Sequence, residues 1–185
     1  MAFVTACRLY REQPHDVEVS DILEELATEL GCLDEVVALI EDQVDGIVDS
    51  RVRLDLFMKL GRLHDVALSE PDEAAACYER ALEIDPHYDD ALDGLMKLAV
   101  ADERFDKQIN ILERKIRGAE SIEAKRELLW QMAEIWEREI GDENRTVATL
   151  ERIRLLLPDD LPTLEWLSRL HRSLRKRRPR HPSPR

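Results

Sequence analysis

Apolar side chains recur at intervals of three and four along nearly all of this chain, a spacing that gathers them on one face of a helix. One such stripe holds Leu56, Phe57, Leu60, Leu63, Val66 and Ala67; the next holds Ala74, Ala75, Tyr78, Ala81 and Leu82. Between them Ser69-Glu70-Pro71-Asp72 interrupts the pattern, with a serine placed to cap and a proline placed where a helix can begin. The second stripe stops at Asp85-Pro86, because proline has no amide to continue the ladder and pushes its predecessor out of the helical region. Read this way throughout, the chain predicts an all-α fold of about ten helices and no strand. They fall over residues 2–12, 16–30, 33–45, 50–68, 71–84, 88–101, 104–117, 122–140, 143–156 and 160–173.

The pattern also repeats. Pro14, Pro86 and Pro158 stand 72 residues apart, and laying residues 14–86 on 86–158 without a gap gives 14 identities in 73 pairs. His15 meets His87, Asp21 meets Asp93, Leu26 meets Leu98, Gly46 meets Gly118, and Glu79-Arg80 meets Glu151-Arg152. Most mismatches keep their character, as in Val37 with Ile109 and Leu60 with Met132. An ungapped match spread over the whole window points to duplication, each unit holding two helical hairpins of about half its length.

The segment from Ala67 to Pro86 resembles the second half of a tetratricopeptide repeat (TPR). Ahead of it, Phe57, Leu60, Gly61 and His64 fall on the aromatic, Leu, Gly and Tyr positions of that family's first helix. Ala74, Tyr78, Ala81 and Pro86 follow at its spacing, with one inserted residue in the turn. Gly61 takes the packing position, where a missing side chain lets the paired helix come close. The alternate hairpins, beginning near Val17 and Asp89, match more loosely, with Val36 and Gln108 at the expected small position. The resemblance covers residues 1–172 and is to part of the long arrays of large bacterial proteins. It implies a right-handed superhelical solenoid of antiparallel helical hairpins over residues 1–173, incomplete at both ends, followed by a basic tail over 174–185. In the repeat register residues 2–13 match 74–85, a second helix without its first, while 160–173 is a first helix without its second. The opening helix is therefore expected to bare Phe3, Ala6 and Tyr10, as in a piece cut from a longer array, and to offer a face for self-association.

Composition narrows the classes of function. Charged residues make up 36% of the chain and aromatics 5%, a mix suited to surface-laced helices. The formal net charge of -13 conceals an asymmetry: residues 172–185 carry seven bases and no acid, which leaves 20 bases against 40 acids, a net of -20, in residues 1–171. Such a body repels nucleic acid and anionic membrane surfaces. No stretch reaches the ~20 apolar residues of a membrane span, and Met1–Cys7 lacks the basic start and apolar run of a secretory signal, so the expectation is no membrane and a cytoplasmic location. Cys7, Cys32 and Cys77, an odd number without paired spacing, read as small core hydrophobes in a reducing compartment.

No catalytic constellation or cofactor motif emerges, and the chain is not expected to be an enzyme. The six glycines are scattered singly, leaving no loop to cradle a phosphate. The five histidines have no Cys or carboxylate at metal-ligand spacing, and the cysteines have no activating basic pair. His64 is expected to pack, at the position where Trp136 stands in the second unit, and His15 and His87 to sit in turns. Trp136 is read as core and Trp166 as exposed on the last helix. Trp130 has two readings, packing between repeats or an anchor for a bound peptide.

In the register of the resembled family, positions two, five and nine of each first helix line a concave groove. These are Glu18, Asp21 and Glu25; Asp55, Met58 and Arg62; Asp90, Asp93 and Lys97; and Glu127, Trp130 and Glu134, eight acids against two bases. The Lys/Asn clamp with which some members hold a carboxylate-ended peptide is absent. Either these acids form an ordinary solvated face, or they line a groove that selects a basic partner. The function implied is a protein–protein interaction scaffold that binds a partner peptide or helix. The alternative is a fragment of a larger repeat protein with no independent activity. The tail, with Arg175, Lys176, Arg177 and Arg178 and three later prolines, is expected to be disordered. Only there would nucleic acid or an acidic partner find a basic surface; it reads equally as folding back on the acidic body or as the product of a shifted reading frame.

Overall fold

The structure, a computed structural model, describes residues 1–14 and 16–177, and of Val17 and Arg177 the backbone alone. Among the described residues stand ten helices and no strand: α1 (Ala2–Glu12), α2 (Val17–Leu30), α3 (Leu33–Val44), α4 (Ser50–Arg62), α5 (Pro71–Ile84), α6 (Asp89–Ala101), α7 (Phe105–Gly118), α8 (Ile122–Glu134), α9 (Glu143–Leu156) and α10 (Leu161–Arg177). The chain is thus an all-α helical repeat. Its helices pack as two compact units, Met1–Leu98 and Ala99–Arg185. The expected turn at His15 and the basic tail from Arg178 onward lie outside the described residues. Helix α10 runs past the expected end at 173 as far as Arg177, so residues 174–177 are helical and not the start of an irregular tail. The sequence has no proline or glycine over residues 163–177 to end the helix earlier, and Arg175 and Lys176 suit the negative end of the helix dipole.

The duplication is written in the backbone more faithfully than in the side chains. Helices α4 and α8 each close in a π-helical turn, Leu63–Leu68 and Ile135–Ile140, at equivalent positions. Each turn ends on a left-handed residue, Ser69 (φ 58) and Gly141 (φ 75). The next amide folds back to the same carbonyl in each case, Glu70 N to His64 O and Asp142 N to Trp136 O, both 2.8 Å. Helices α2 and α6 are followed by a second equivalent pair of left-handed residues, Gly31 (φ 69) and Glu103 (φ 53). There Cys32 N reaches Ala27 O at 3.0 Å and Arg104 N reaches Ala99 O at 2.8 Å. Closing a helix this way satisfies carbonyls that have no partner further along the chain. In the second unit the Gln108 amide adds a bond to the Ala99 carbonyl at 3.1 Å, which explains a buried polar side chain where a small one was expected. The helix starts repeat as well: Asp49 and Ser121, in register, accept backbone N–H bonds at the heads of α4 and α8. Ser69 does not cap α5, as its place before Pro71 suggested; it closes the preceding turn, and Glu70 precedes Pro71 without a side-chain cap.

In the first unit α4 and α5 pack most extensively, with α1 against α2 and α3. The Tyr78 ring of α5 is wedged between two helices. A Cβ on Gly61 of α4 would stand 2.5 Å from one ring edge, and a Cβ on Gly94 of α6 would stand 2.6 Å from the other. Both glycines are therefore required by sterics, since real Cβ atoms do not approach an aromatic ring so closely. The equivalent positions of the second unit hold Ala133, Leu150 and Trp166, all buried. The bulk has moved from the middle residue to an outer one. An ion pair between consecutive first helices also recurs in register: Lys97 with Asp65 at 2.6 Å, and Arg169 with Glu137 at 2.9 Å.

The expectation that α1 bares Phe3, Ala6 and Tyr10 is overturned. Ala6 and Tyr10 are buried and Phe3 is half-buried. This stripe turns inward onto α2 and α3, because it is the only face of α1 with enough apolar area to cover the next hairpin. Val4 and Leu9 remain outside, 69% and 46% exposed.

Gly61→Ala should lower stability by about 1–2 kcal/mol, because overpacking against a ring pinned on both sides outweighs the gain in helix propensity. Adding Tyr78→Leu, which copies the second unit, should restore part of it, and urea denaturation of both single variants and the double would show this as a non-additive pair. Ser69→Gly should raise stability by about 0.5 kcal/mol, since relief of the left-handed serine exceeds the entropy lost by the unfolded glycine. A thermal melt that falls on this substitution would contradict that account of the turn.

Candidate functional site

The first unit carries a cleft of about 820 Å³ bounded by α2, α4, the π-helical turn after α4 and the head of α6. Its floor is apolar, formed by Leu56, Met58, Leu63 and neighbouring side chains, and continues outward to Val66. Its walls carry the carboxylates of Asp16, Asp21, Glu24, Asp55 and Asp90 against the cations of Lys59 and Arg62. Apolar residues reach the floor because the two turns of α4 that bury Leu56 and Leu60 also pass Met58 and Leu63 along the inner side.

Five of the residues expected in a groove meet here: Asp21, Asp55, Met58, Arg62 and Asp90. Met58 is buried in the floor; the other four are exposed on the walls. The other expected residues do not line the cleft. Glu18, Glu25 and Asp93 are exposed. Lys97 is held by Asp65. Glu127 lies 3.5 Å from Arg126, and Glu134 lies 3.3 Å from Arg138, both in the second unit.

Sequence reasoning missed Lys59 and Tyr88. Lys59 leaves α4 with its side chain only 13% exposed and places Nζ 2.9 Å from Glu24 and 2.7 Å from the Ser20 hydroxyl. It ties α2 to α4 and pairs with one of the cleft's carboxylates, Glu24. The signal for it was faint: a lysine on the apolar side of an amphipathic stripe reads as a surface residue until a partner helix covers it. Tyr88 lies at the cleft mouth, its phenol pushed above the ordinary range by burial and then by the carboxylates of Asp90 and Asp55.

At the equivalent positions the second unit carries larger side chains. Met58 and Gly94 of the first unit correspond to Trp130 and Trp166, whose rings meet edge to face at 4.8 Å. The Arg126 guanidinium lies 4.5 Å over the Trp130 ring and reaches Asp160 at 3.4 Å. Burial alone would raise the Asp160 carboxyl, but the Thr163 hydroxyl and Arg126 hold it below the usual carboxylate range. Trp130 is half-buried, with its ring against Trp166 and Arg126. Trp166 is buried and not exposed as expected, because α10 lays it on α8 and α9. Trp136, expected in the core, is half-buried with Arg145 stacked 4.5 Å over its ring.

His64 is buried, with Nδ1 2.9 Å from Glu70 and Nε2 3.6 Å from Glu41. It packs, as its repeat position suggested. Cys7, Cys32 and Cys77 are free and half-buried, not fully in the core. Burial, then the carboxylates of Glu41 and Glu73, push the Cys77 thiol up to about 11. Among the described residues no group of three or more His, Cys, Asp or Glu side chains could hold a metal ion, and no helix is long and apolar enough to cross a membrane.

No family model matches the chain, and neither does any curated protein. Among solved structures the chain is similar to BtubC (BKLC) from P. vanneervenii, with a TM-score of 0.50 and 17% identity over 100% of this chain and 91% of that one. At that identity the likeness is one of fold alone.

Trp166→Ala should destabilise the second unit by about 3 kcal/mol, the cost of removing a buried aromatic that supports another. Urea denaturation followed by the remaining tryptophan fluorescence measures it. A change under about 0.5 kcal/mol would return the pair to the status of surface side chains.

Proposed function

We propose that this chain is a protein-interaction module of the tetratricopeptide kind, with no catalysis of its own, and that the cleft of its first unit holds a basic segment of a partner protein. The observation that carries this reading is the cleft itself: an apolar floor rimmed by carboxylates, in a unit whose inner lysine is already neutralised by Glu24. An apolar floor supplies affinity through area removed from water, and the unpaired rim supplies orientation and on-rate. The acidic body favours the same partner at longer range, since a net charge of this sign attracts cations and repels nucleic acid and anionic lipid. A cytoplasmic setting accords with three free thiols.

Binding is confined to one of the two units. The second unit spends the corresponding positions on the Trp130–Trp166 contact and on the Arg126–Asp160 pair. A partner is accordingly expected to bind once per chain.

The double charge reversal Asp55→Lys with Asp90→Lys should weaken capture of an arginine-rich peptide at least tenfold at low salt, with most of the change in on-rate. The contrast should shrink as salt rises, because the screening length falls to ~8 Å at physiological ionic strength. Asp93→Lys, outside the cleft lining, is the control. If the double variant captures peptide as well as the parent, or if Asp93→Lys weakens it equally, the cleft is not the binding site.

A further inference from the structure

Two of the three cysteines share a cluster, and neither of them lines the cleft. Cys7 stands on α1 between Phe3 and Tyr10, four residues after the one and three before the other, so it shares the helix face that turns inward. Cys32 stands at the head of α3 with its backbone fixed on both sides. Its amide donates to the Ala27 carbonyl at 3.0 Å, and its carbonyl accepts from the Glu35 amide at 3.2 Å. Helix α1 packs on α3 as well as on α2. The Cys7 and Cys32 side chains lie within electrostatic reach of each other, and the Glu35 carboxylate lies within reach of both. The groups that act on Cys77 are different ones, Glu41, Glu73 and Arg80.

Burial raises both clustered thiols, and Glu35 adds to the rise in each, opposed at Cys7 by Arg11. At neutral pH the pair therefore rests as two half-buried thiols. Among the described residues α1 packs on α2 and α3 alone. A helix of 11 residues has little stability by itself, so this one apolar face is what holds it.

We propose that Cys7 and Cys32 are a redox-active dithiol that closes reversibly into a disulfide, fastening α1 to the head of α3, with a low-molecular-weight disulfide as the oxidant. One cysteine thiolate attacks the external disulfide; that S–S bond breaks, a mixed disulfide forms, and one small thiolate leaves. The other cysteine thiolate attacks the protein sulfur of the mixed disulfide, so the internal S–S bond forms and the second small thiolate leaves. The protons given up by Cys7 and Cys32 end on the two released thiols, and the electrons lost by the protein reduce the oxidant. Excess small thiol runs the same steps backwards. The link closes the chain from residue 7 to residue 32 into a loop, which removes from the unfolded ensemble many conformations in which α1 is parted from α3. Oxidation thus turns α1 from a helix held by one apolar face into one held covalently as well.

The test treats the full chain with glutathione disulfide, blocks the remaining thiols with a maleimide and maps the tryptic peptides by mass spectrometry. The expected product is the peptide of residues 1–8 joined through sulfur to the peptide of residues 12–51. Cys77, in the peptide of residues 63–80, should carry maleimide or glutathione and no link. Oxidation should raise the thermal midpoint by roughly 5 °C, and dithiothreitol should reverse the gain. Cys7→Ser and Cys32→Ser should each abolish the linked peptide and the gain, whereas Cys77→Ser should keep both. The peptide map of the unaltered chain decides the matter even if a serine variant fails to fold. Glutathione on both Cys7 and Cys32 without a link between them, or a link that forms only between two chains, overturns the proposal. A link that leaves the midpoint unchanged overturns the fastening of α1.

Discussion

The first unit depends on one steric relation, the Tyr78 ring held between Gly61 and Gly94. It links three helices through a single side chain. The ring fills the volume that two missing side chains leave, so α4 and α6 come close enough to α5 to bury Leu60, Ala81, Leu82 and Leu92 around it. Without the glycines the ring has no place; without the ring the glycines leave a void beside the helices. The cleft is built on the inner side of the same arrangement, because α4 and the head of α6 form two of its boundaries.

The two units show a duplicated sequence that kept its backbone turns and changed its side chains. Their backbones end helices at equivalent residues, through the same π-helical turns and the same left-handed positions, although glycine occupies only one member of each pair. Ser69 and Glu103 hold conformations for which their equivalents, Gly141 and Gly31, are better suited, and tertiary packing sustains them. The ion pairs Asp65–Lys97 and Glu137–Arg169 persist likewise. What diverged is the disposition of bulk. Met58 lines an open cleft and Gly94 leaves room for Tyr78, whereas the tryptophans at 130 and 166 close on each other. On the reading proposed above, one copy kept a surface for a partner and the other spent it on stability.

Charge follows the same division. In the first unit Lys59 is drawn inward to Glu24 and Ser20, and Lys97 to Asp65, which leaves Arg62 as the exposed base on the cleft wall. Asp21, Asp55 and Asp90 stay exposed. In the second unit Arg126 lies between Trp130 and Asp160 and serves packing and helix capping together.

Helix number, approximate boundaries and the 72-residue period could be read from the sequence alone, because they rest on local rules: apolar spacing, proline placement and ungapped self-similarity. The burial of His64 and the glycine at position 61 were legible for the same reason, since repeat register carries packing roles from one hairpin to the next. Five of the residues that the family resemblance placed in a groove, Asp21, Asp55, Met58, Arg62 and Asp90, line one cleft. Local rules could not show which face of α1 turns inward, whether Trp166 is covered, or which acids keep their charge free. Those outcomes depend on side chains more than thirty residues apart in sequence: Lys59 with Ser20, Asp65 with Lys97, Trp130 with Trp166. The energy of such a contact exists only once the helices are packed, so the site was decided by tertiary structure even though the fold was already apparent in the pattern of the chain.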